Sequence, residues 1–371
     1  MNYFKQYKLK NYKWPLVLTL VIISCFSILI VGSAKESVQN RQFFGVILGF
    51  IVMVIFSLID YKLYFKTQWL IYATGIVLLL WVEFFGHNSK GATRWINLGF
   101  TTFQPSELVK VFLVLFFAKF FMDNKNEINN WKLLLKSFIL FGIPAFLILI
   151  QPDLSTTISI VTVFITLIFL TGFDYRTIRK LLLILIPLST IVFIYILQPN
   201  QVLIQDYQQR RVLAWLNPED YALSEGMQQS NSKIAIGSGQ LNGKGLNNNT
   251  TTSVKNGNFI LEPQTDFIFS IIGEELGFRG CCLVILFLFL VIMQCIMIGI
   301  RAQIFAGKLI CYGVAAQIAY QSFINMGVAS GVLPNTGIPL PFISYGLSSL
   351  VCMYIGIGIV LNIGLQTKKY Q

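Results

Sequence analysis

The sequence predicts an all-α integral membrane protein of about ten transmembrane helices, with one large extracytoplasmic loop between helices 7 and 8. Three observations support this. Hydrophobic residues make up 55% of the 371-residue chain, charged residues only 12%, and the mean hydropathy is +0.68, more apolar surface than one soluble core can hide. Apolar runs of about 20 residues, enough to cross about 30 Å of hydrocarbon as a helix, recur along the chain. Basic residues crowd alternate joints between those runs, as the positive-inside bias requires of a multi-pass protein.

The runs cover residues 14 to 33, 43 to 60, 68 to 85, 104 to 121, 134 to 150, 154 to 172, 181 to 198, 273 to 300, 309 to 330 and 342 to 363. Backbone groups in lipid must find partners within their own segment, so each run is expected to be helical. The first follows MNYFKQYKLKNYKW, a basic stretch that imitates a secretory leader. No small-residue cleavage site closes it, and it is expected to remain as the first helix. Residues 1–371 therefore read as a single polytopic domain, with 199–263 as its outer loop.

The formal charge is +12. With the N-terminus inside, 17 of the 28 Lys and Arg residues fall in cytoplasmic joints, from Lys5, Lys8, Lys10 and Lys13 to Lys368 and Lys369. Both termini are then cytoplasmic. The bases of the long loop, Arg210, Arg211, Lys233, Lys244 and Lys255, are matched by Asp206, Glu219, Asp220, Glu225 and Glu262. The basic excess marks orientation, so nucleic acid is excluded as its partner. The six cysteines lie in apolar runs, and the single histidine, His87, leaves no zinc-type ligand set.

The polar joints hold the candidates for chemistry. GATRWINLGFTTFQPSELVK, residues 91–110, sets Arg94 and Trp95 at the outer surface, puts Pro105 in the first turn of a helix, and places Glu107 and Lys110 three apart on one helical face. Opposite charges inside a span are candidates by default, as a structural ion pair or as a working one. In QPDLST, Asp153 is placed to cap the next helix or to face Lys110.

The long loop sets Arg210 and Arg211 beside Trp215 and runs on into IAIGSGQLNGKG. Its glycine turns and Lys244 are suited to holding a diphosphate, and the segment is equally suited to lying as an amphipathic strip on the outer leaflet, which does not exclude that role. EPQTDFIFSIIGEELGF then places Asp266 at the edge of an apolar run, where partial burial would raise its pKa toward the range of a general base, with Glu262 just before it. Residues 262 to 300 are too long for one straight span, so a break is expected between Gly273 and Gly280. The last outer loop, GVLPNTGIPLPFISYGLSS, is rich in Pro and Gly and is expected to be re-entrant and non-helical.

Taken together and in order, GATRWINLG, QPSELVK, QPDLST, RRVLAWLNPED, IAIGSGQLNGKG, EPQTDFIFSIIGEELGF and LPNTGIPLPFISYG resemble the SEDS family of cell-wall proteins, the group of RodA, FtsW and SpoVE, with the first blocks most like RodA. The resemblance spans nearly the whole chain. It implies a peptidoglycan glycosyltransferase that polymerises lipid II outside the membrane beside a class B penicillin-binding protein, for cell shape, elongation or division. It puts the family's essential loop aspartate on Asp266 and its intramembrane charges on Glu107, Lys110 and Asp153; Ser344 of the last loop is a further supporting candidate. The chain departs from the family's usual pattern at Ser155, at Leu347 and through the Asn/Thr tract from Asn247 to Thr252.

On this resemblance Asp266 is the base, and Arg210, Arg211 and Lys244 steady the diphosphate, with a divalent cation, Mg2+ or Mn2+, as a further ligand to it. Two rivals come from other classes. A lipid II flippase or other transporter would make use of Glu107 and Lys110 at membrane depth. A scaffold for a penicillin-binding protein, embedded among membrane lipids, would not need Asp266.

Overall fold

The computed structural model describes residues 11–89, 92–97, 99, 102–199, 201–221, 224–247 and 260–366. Helices dominate them: α1 (Trp14–Ala34), α2 (Gln39–Leu58), the short α3 (Lys62–Lys66), α4 (Gln68–Phe85), α5 (Pro105–Asp123), α6 (Trp131–Ile150), α7 (Leu154–Leu170), α8 (Tyr175–Ile196), α9 (Asp206–Leu216), α10 (Glu225–Ser238), α11 (Ile268–Ile300), α12 (Phe305–Ala329) and α13 (Leu347–Leu365). Each predicted span falls on one of them. Among the described residues seven helices are long and apolar enough to cross a membrane by length and composition. Three predicted spans fall short of that measure for visible reasons. The α7 helix has 17 residues, α5 carries Glu107, Lys110, Lys119 and Asp123, and α12 carries Lys308 with Gln317, Gln321 and Asn325.

The start signals act as expected. Proline occupies the first turn of α1 and of α5, and the Asp153 side chain caps α7 by accepting from Thr156 N. The expected break is in α11, at Gly277, whose φ of 64° and ψ of −163° no helix contains.

Small residues let the helices approach closely, as packing in lipid requires. A Cβ on Gly49 would lie 2.2 Å from the ring of Tyr354, and one on Gly45 would lie 2.4 Å from Leu347, so α13 lies directly on α2. Tyr354 Oη and Ser24 Oγ meet at 2.5 Å. Gln42 Nε2 donates to Ser27 Oγ, which donates to Ile343 O, both at 2.8 Å, so a buried polar chain ties α2 and α1 to the last outer loop. An aromatic stack, Phe141 on Phe164 at 4.2 Å and 1°, joins α6 to α7. The α8 helix has no buried residue.

The predicted all-α class holds, and one small element joins the helices: β1 (His87–Ser89), β2 (Ala92–Asn97) and β3 (Thr102–Phe103) form an antiparallel sheet in that order. The sequence ATRWIN is rich in β-branched and aromatic residues, which suit a strand outside the membrane. Within the long loop, helix α10 buries Ser232 and Ala235 completely, with Ser232 Oγ donating to Ala329 O at 2.6 Å, so the loop is packed on the bundle at the end of α12. The Asn/Thr tract from 248 onward and Lys255 lie outside the described residues.

Candidate active site

Asp266 lies in a non-helical segment just before α11, half-buried, with Phe267 and Ile268 packed inside next to it. The last outer loop holds that segment through its backbone. Tyr345 N donates to Gln264 O at 2.8 Å, and Ser344 Oγ donates to Thr265 O at 2.6 Å while accepting from Leu340 N at 2.8 Å. Ser344 is thus a clamp on the chain around Asp266. The loop is non-helical, as its prolines require, and turns at Gly337 with φ of 77°. A Cβ on Gly337 would lie 3.5 Å from Asp266 Oδ2 and 3.8 Å from Arg211 Nη1. The carboxylate and the guanidinium therefore converge on one bare stretch of backbone. Glu262 stands in an exposed turn, its carbonyl accepting from Thr265 N at 3.2 Å.

The cations come from α9, opened by a reciprocal capping box between Gln205 and Gln208. Arg211 lies over the ring of Tyr207 at 5.6 Å, one turn earlier on the same face. Arg210 points outward and approaches Glu225 at 3.8 Å, a loose and mostly exposed pair. Both arginines, with Ser224, Glu225, Gln228 and Asn335, line an open cavity of about 360 Å³. Among the described residues no group of three or more His, Cys, Asp or Glu comes together as a cage for a metal ion.

Arg94 fastens this outer layer to the bundle. Its Nε donates to Gln151 O at 3.1 Å, and its Nη2 donates to Pro152 O and, at 2.8 Å, to Tyr207 Oη. Trp95 follows it on β2, half-buried and in register with His87. Of the two readings of Asp153, the cap is the one observed. Its Oδ2 accepts from Gln104 Nε2 at 3.0 Å and from Thr156 Oγ1 at 2.9 Å, and the cation nearest it is Arg94, at 3.9 Å. Lys110 instead donates to Glu107 Oε1 at 2.7 Å, with both side chains buried, and borders a pocket lined by Leu113, Val114, Phe117 and Phe164.

The proposed diphosphate cradle around Lys244 is corrected. Its amide donates to Glu274 O and that of Gly245 to Glu275 O, both at 2.9 Å, and Lys244 Nζ pairs with the buried Glu274 Oε1 at 2.8 Å. A Cβ on Gly239 would lie 1.9 Å from Gly273 O, and one on Gly243 would lie 2.1 Å from Glu275 O. Gly239 and Gly243 thus let this turn lie against the broken stretch of α11. Sequence reasoning also passed over Tyr207, Gln208 and Asn325, and took Gly337 only as one of the turn glycines of the last loop. The signal for Asn325 was available, as a lone amide in the apolar run SFINMGVA.

The chain is similar to known proteins over nearly its whole length. A family model described as "Cell cycle protein", for FtsW, RodA and SpoVE, matches residues 10–369. The peptidoglycan glycosyltransferase MrdB of Escherichia coli K12 is 34% identical over 358 residues, covering 95% of this chain and 93% of its own. The probable peptidoglycan glycosyltransferase FtsW of Geobacter metallireducens is 31% identical over 383 residues, covering 97% and 96%. Among solved structures, a chain of a peptidoglycan synthase complex that coordinates polymerization and crosslinking superposes with a TM-score of 0.79 at 27% identity, covering 95% of this chain and 97% of that one. The rod shape determining protein RodA of Thermus thermophilus superposes with a TM-score of 0.71 at 25% identity, covering 97% and 98%. With likeness running through sequence and fold from one end to the other, the chain belongs to the FtsW/RodA/SpoVE family.

Proposed function

We propose that this protein is a peptidoglycan glycosyltransferase that polymerises lipid II, an undecaprenyl-diphosphate-linked disaccharide peptide, at the outer face of the cytoplasmic membrane. The observation that carries the reading is the convergence of Asp266 Oδ2 and Arg211 Nη1 on Gly337, beside an open cavity that Arg210 also lines. A base and a cationic wall side by side are what an inverting glycosyl transfer needs.

In that reaction the 4-hydroxyl of the acceptor's GlcNAc attacks C1 of the donor's MurNAc. The bond from C1 to the diphosphate oxygen breaks, and its electron pair leaves with undecaprenyl diphosphate. Asp266 takes the hydroxyl proton and later returns it to water. Arg211, held by Tyr207, and Arg210 offset the charge gathering on the leaving group. Asp266 would be the carboxylate to hold a divalent cation, Mg2+ or Mn2+, which would supply further positive charge against the leaving diphosphate. Both termini lie in the cytoplasm, and a class B penicillin-binding protein is the partner that crosslinks the product.

The buried Glu107–Lys110 pair favours a second reading, a lipid-linked precursor transporter. Purified protein incubated in detergent with lipid II, with glycan length read on a gel, separates the two. Polymer formed without any other transglycosylase supports the enzyme. Failure to polymerise, together with lipid II movement across the bilayer of sealed vesicles, overturns it.

A further inference from the structure

Behind Asp266 lies an amide that neither sequence nor family resemblance singled out. Asn325, on α12 and 1% exposed, donates from Nδ2 to Asp266 O and to Ile338 O, each at 2.8 Å. Both partners are carbonyls, which only accept, so the orientation of the amide follows from its bonds. One side chain thus joins the residue of the base to the residue after Gly337, the glycine that faces Asp266 Oδ2 and Arg211 Nη1.

The surroundings are dry. Phe267, Ile324, Val328, Ile338, Ile260 and Ala235 form a separate buried apolar cluster around this junction. In such a setting hydrogen bonds are strengthened and unmade ones are costly. Asn325 Oδ1 nevertheless has no hydrogen-bond partner among the described residues. An apolar residue or a serine would avoid that cost. What asparagine supplies is two N–H donors on one atom, enough to hold carbonyls of two separate loops at once.

We propose that Asn325 is a positioning residue for the transfer reaction, setting the Asp266 carboxylate against the Gly337 and Arg211 wall. The proposal rests on the reading of Asp266 as the base. Its two carbonyl bonds fix the spacing between the loops that carry the base and the wall, and a displacement of about 1 Å in a positioned group is enough to cost a large factor in rate.

The test compares Asn325→Ala, Asn325→Asp and Asp266→Asn as purified full-length protein polymerising lipid II, with kcat, KM and thermal midpoint measured for each. The expected result for Asn325→Ala is a fall in kcat of about 30-fold with KM changed by less than about twofold, in protein that stays folded. Asn325→Asp, equal in size but unable to donate when ionised, is expected to fall at least as far. An Asn325→Ala enzyme with near-normal kcat beside an inactive Asp266→Asn overturns the positioning role, as does a loss seen in KM alone. If the alanine variant does not fold, the aspartate variant decides by the same criteria; if neither folds, Asn325 is a folding residue and the proposal fails. An active Asp266→Asn instead removes the base itself, and the proposal goes with it.

Discussion

Lys110 Nζ lies 2.7 Å from Glu107 Oε1, and the two residues, each about 4% exposed, form an ion pair buried at both ends. They are neighbours on α5, three residues apart, so the pair forms within one helix. Glu107 Oε2 has no hydrogen-bond partner among the described residues. A single replacement strands a charge in an apolar interior and typically costs about 3–5 kcal/mol, whereas removing both partners leaves nothing unpaired. Lys110→Met and Glu107→Leu are therefore each expected to lower the thermal midpoint in detergent more than the double variant does. A double variant clearly less stable than either single one would contradict the pairing.

The bend of α11 makes a sharper demand. Gly277 combines φ of 64° with a Cβ position 2.4 Å from Gly243 N and 2.8 Å from Leu241 C. Both backbone strain and a clash with main chain follow from any side chain there, and Gly277→Ala is expected to cost about 3 kcal/mol or more. Gly142→Ala in α6, with nothing within 4 Å of its new methyl group, is the control expected to be neutral. Thermal unfolding of the two variants side by side checks the contrast.

How much of this was legible beforehand depends on the range of the interaction. The spans, the proline starts, the Asp153 cap and the break in α11 follow from local pattern, because lipid forces helices and only glycine accepts the angles of the break. The partners of charges were not legible. Lys244 looked available for a diphosphate because Glu274, thirty residues on, is brought to it only by the packing of α10 on α11. Asp153 could not be assigned to Arg94 rather than Lys110 until the small sheet set Arg94 over the α6–α7 corner. Asp266 was visible, whereas the Gly337 contact that gives it a setting joins segments 71 residues apart.

The outer placement of the long loop is testable at a position that can react. Ser232, near its middle, is fully buried and would stay silent on either side of the membrane, but Glu219 is exposed at the turn after α9. A cysteine introduced by Glu219→Cys is expected to react in intact cells with a membrane-impermeant maleimide. Cys25 and Cys282 are also exposed on the protein surface, so both are first replaced by serine. Labelling that appears only after permeabilisation would reverse the topology.

The last expectation concerns Asp266 and the glycine facing it. Asp266→Asn keeps the size of the side chain and the backbone bond from Asn325 but cannot take a proton, so insertion and folding should survive while polymerisation falls by about 100-fold or more, the scale usual for losing a general base. Gly337→Ala tests the same place from the other side. Its methyl group would stand 3.5 Å from Asp266 Oδ2 and 3.8 Å from Arg211 Nη1, on a backbone whose φ of 77° already disfavours any side chain. The carboxylate and the guanidinium would be screened from the same point of approach, and turnover is expected to drop by about tenfold or more even where the protein remains folded. Lipid II polymerisation by each purified variant, free of any partner transglycosylase, is the measurement. Glycan strands of normal yield from Asp266→Asn would move the base elsewhere, with Glu262 the next carboxylate to try. Normal yield from Gly337→Ala alone would leave Asp266 in place but show that the reacting sugars approach it from another side.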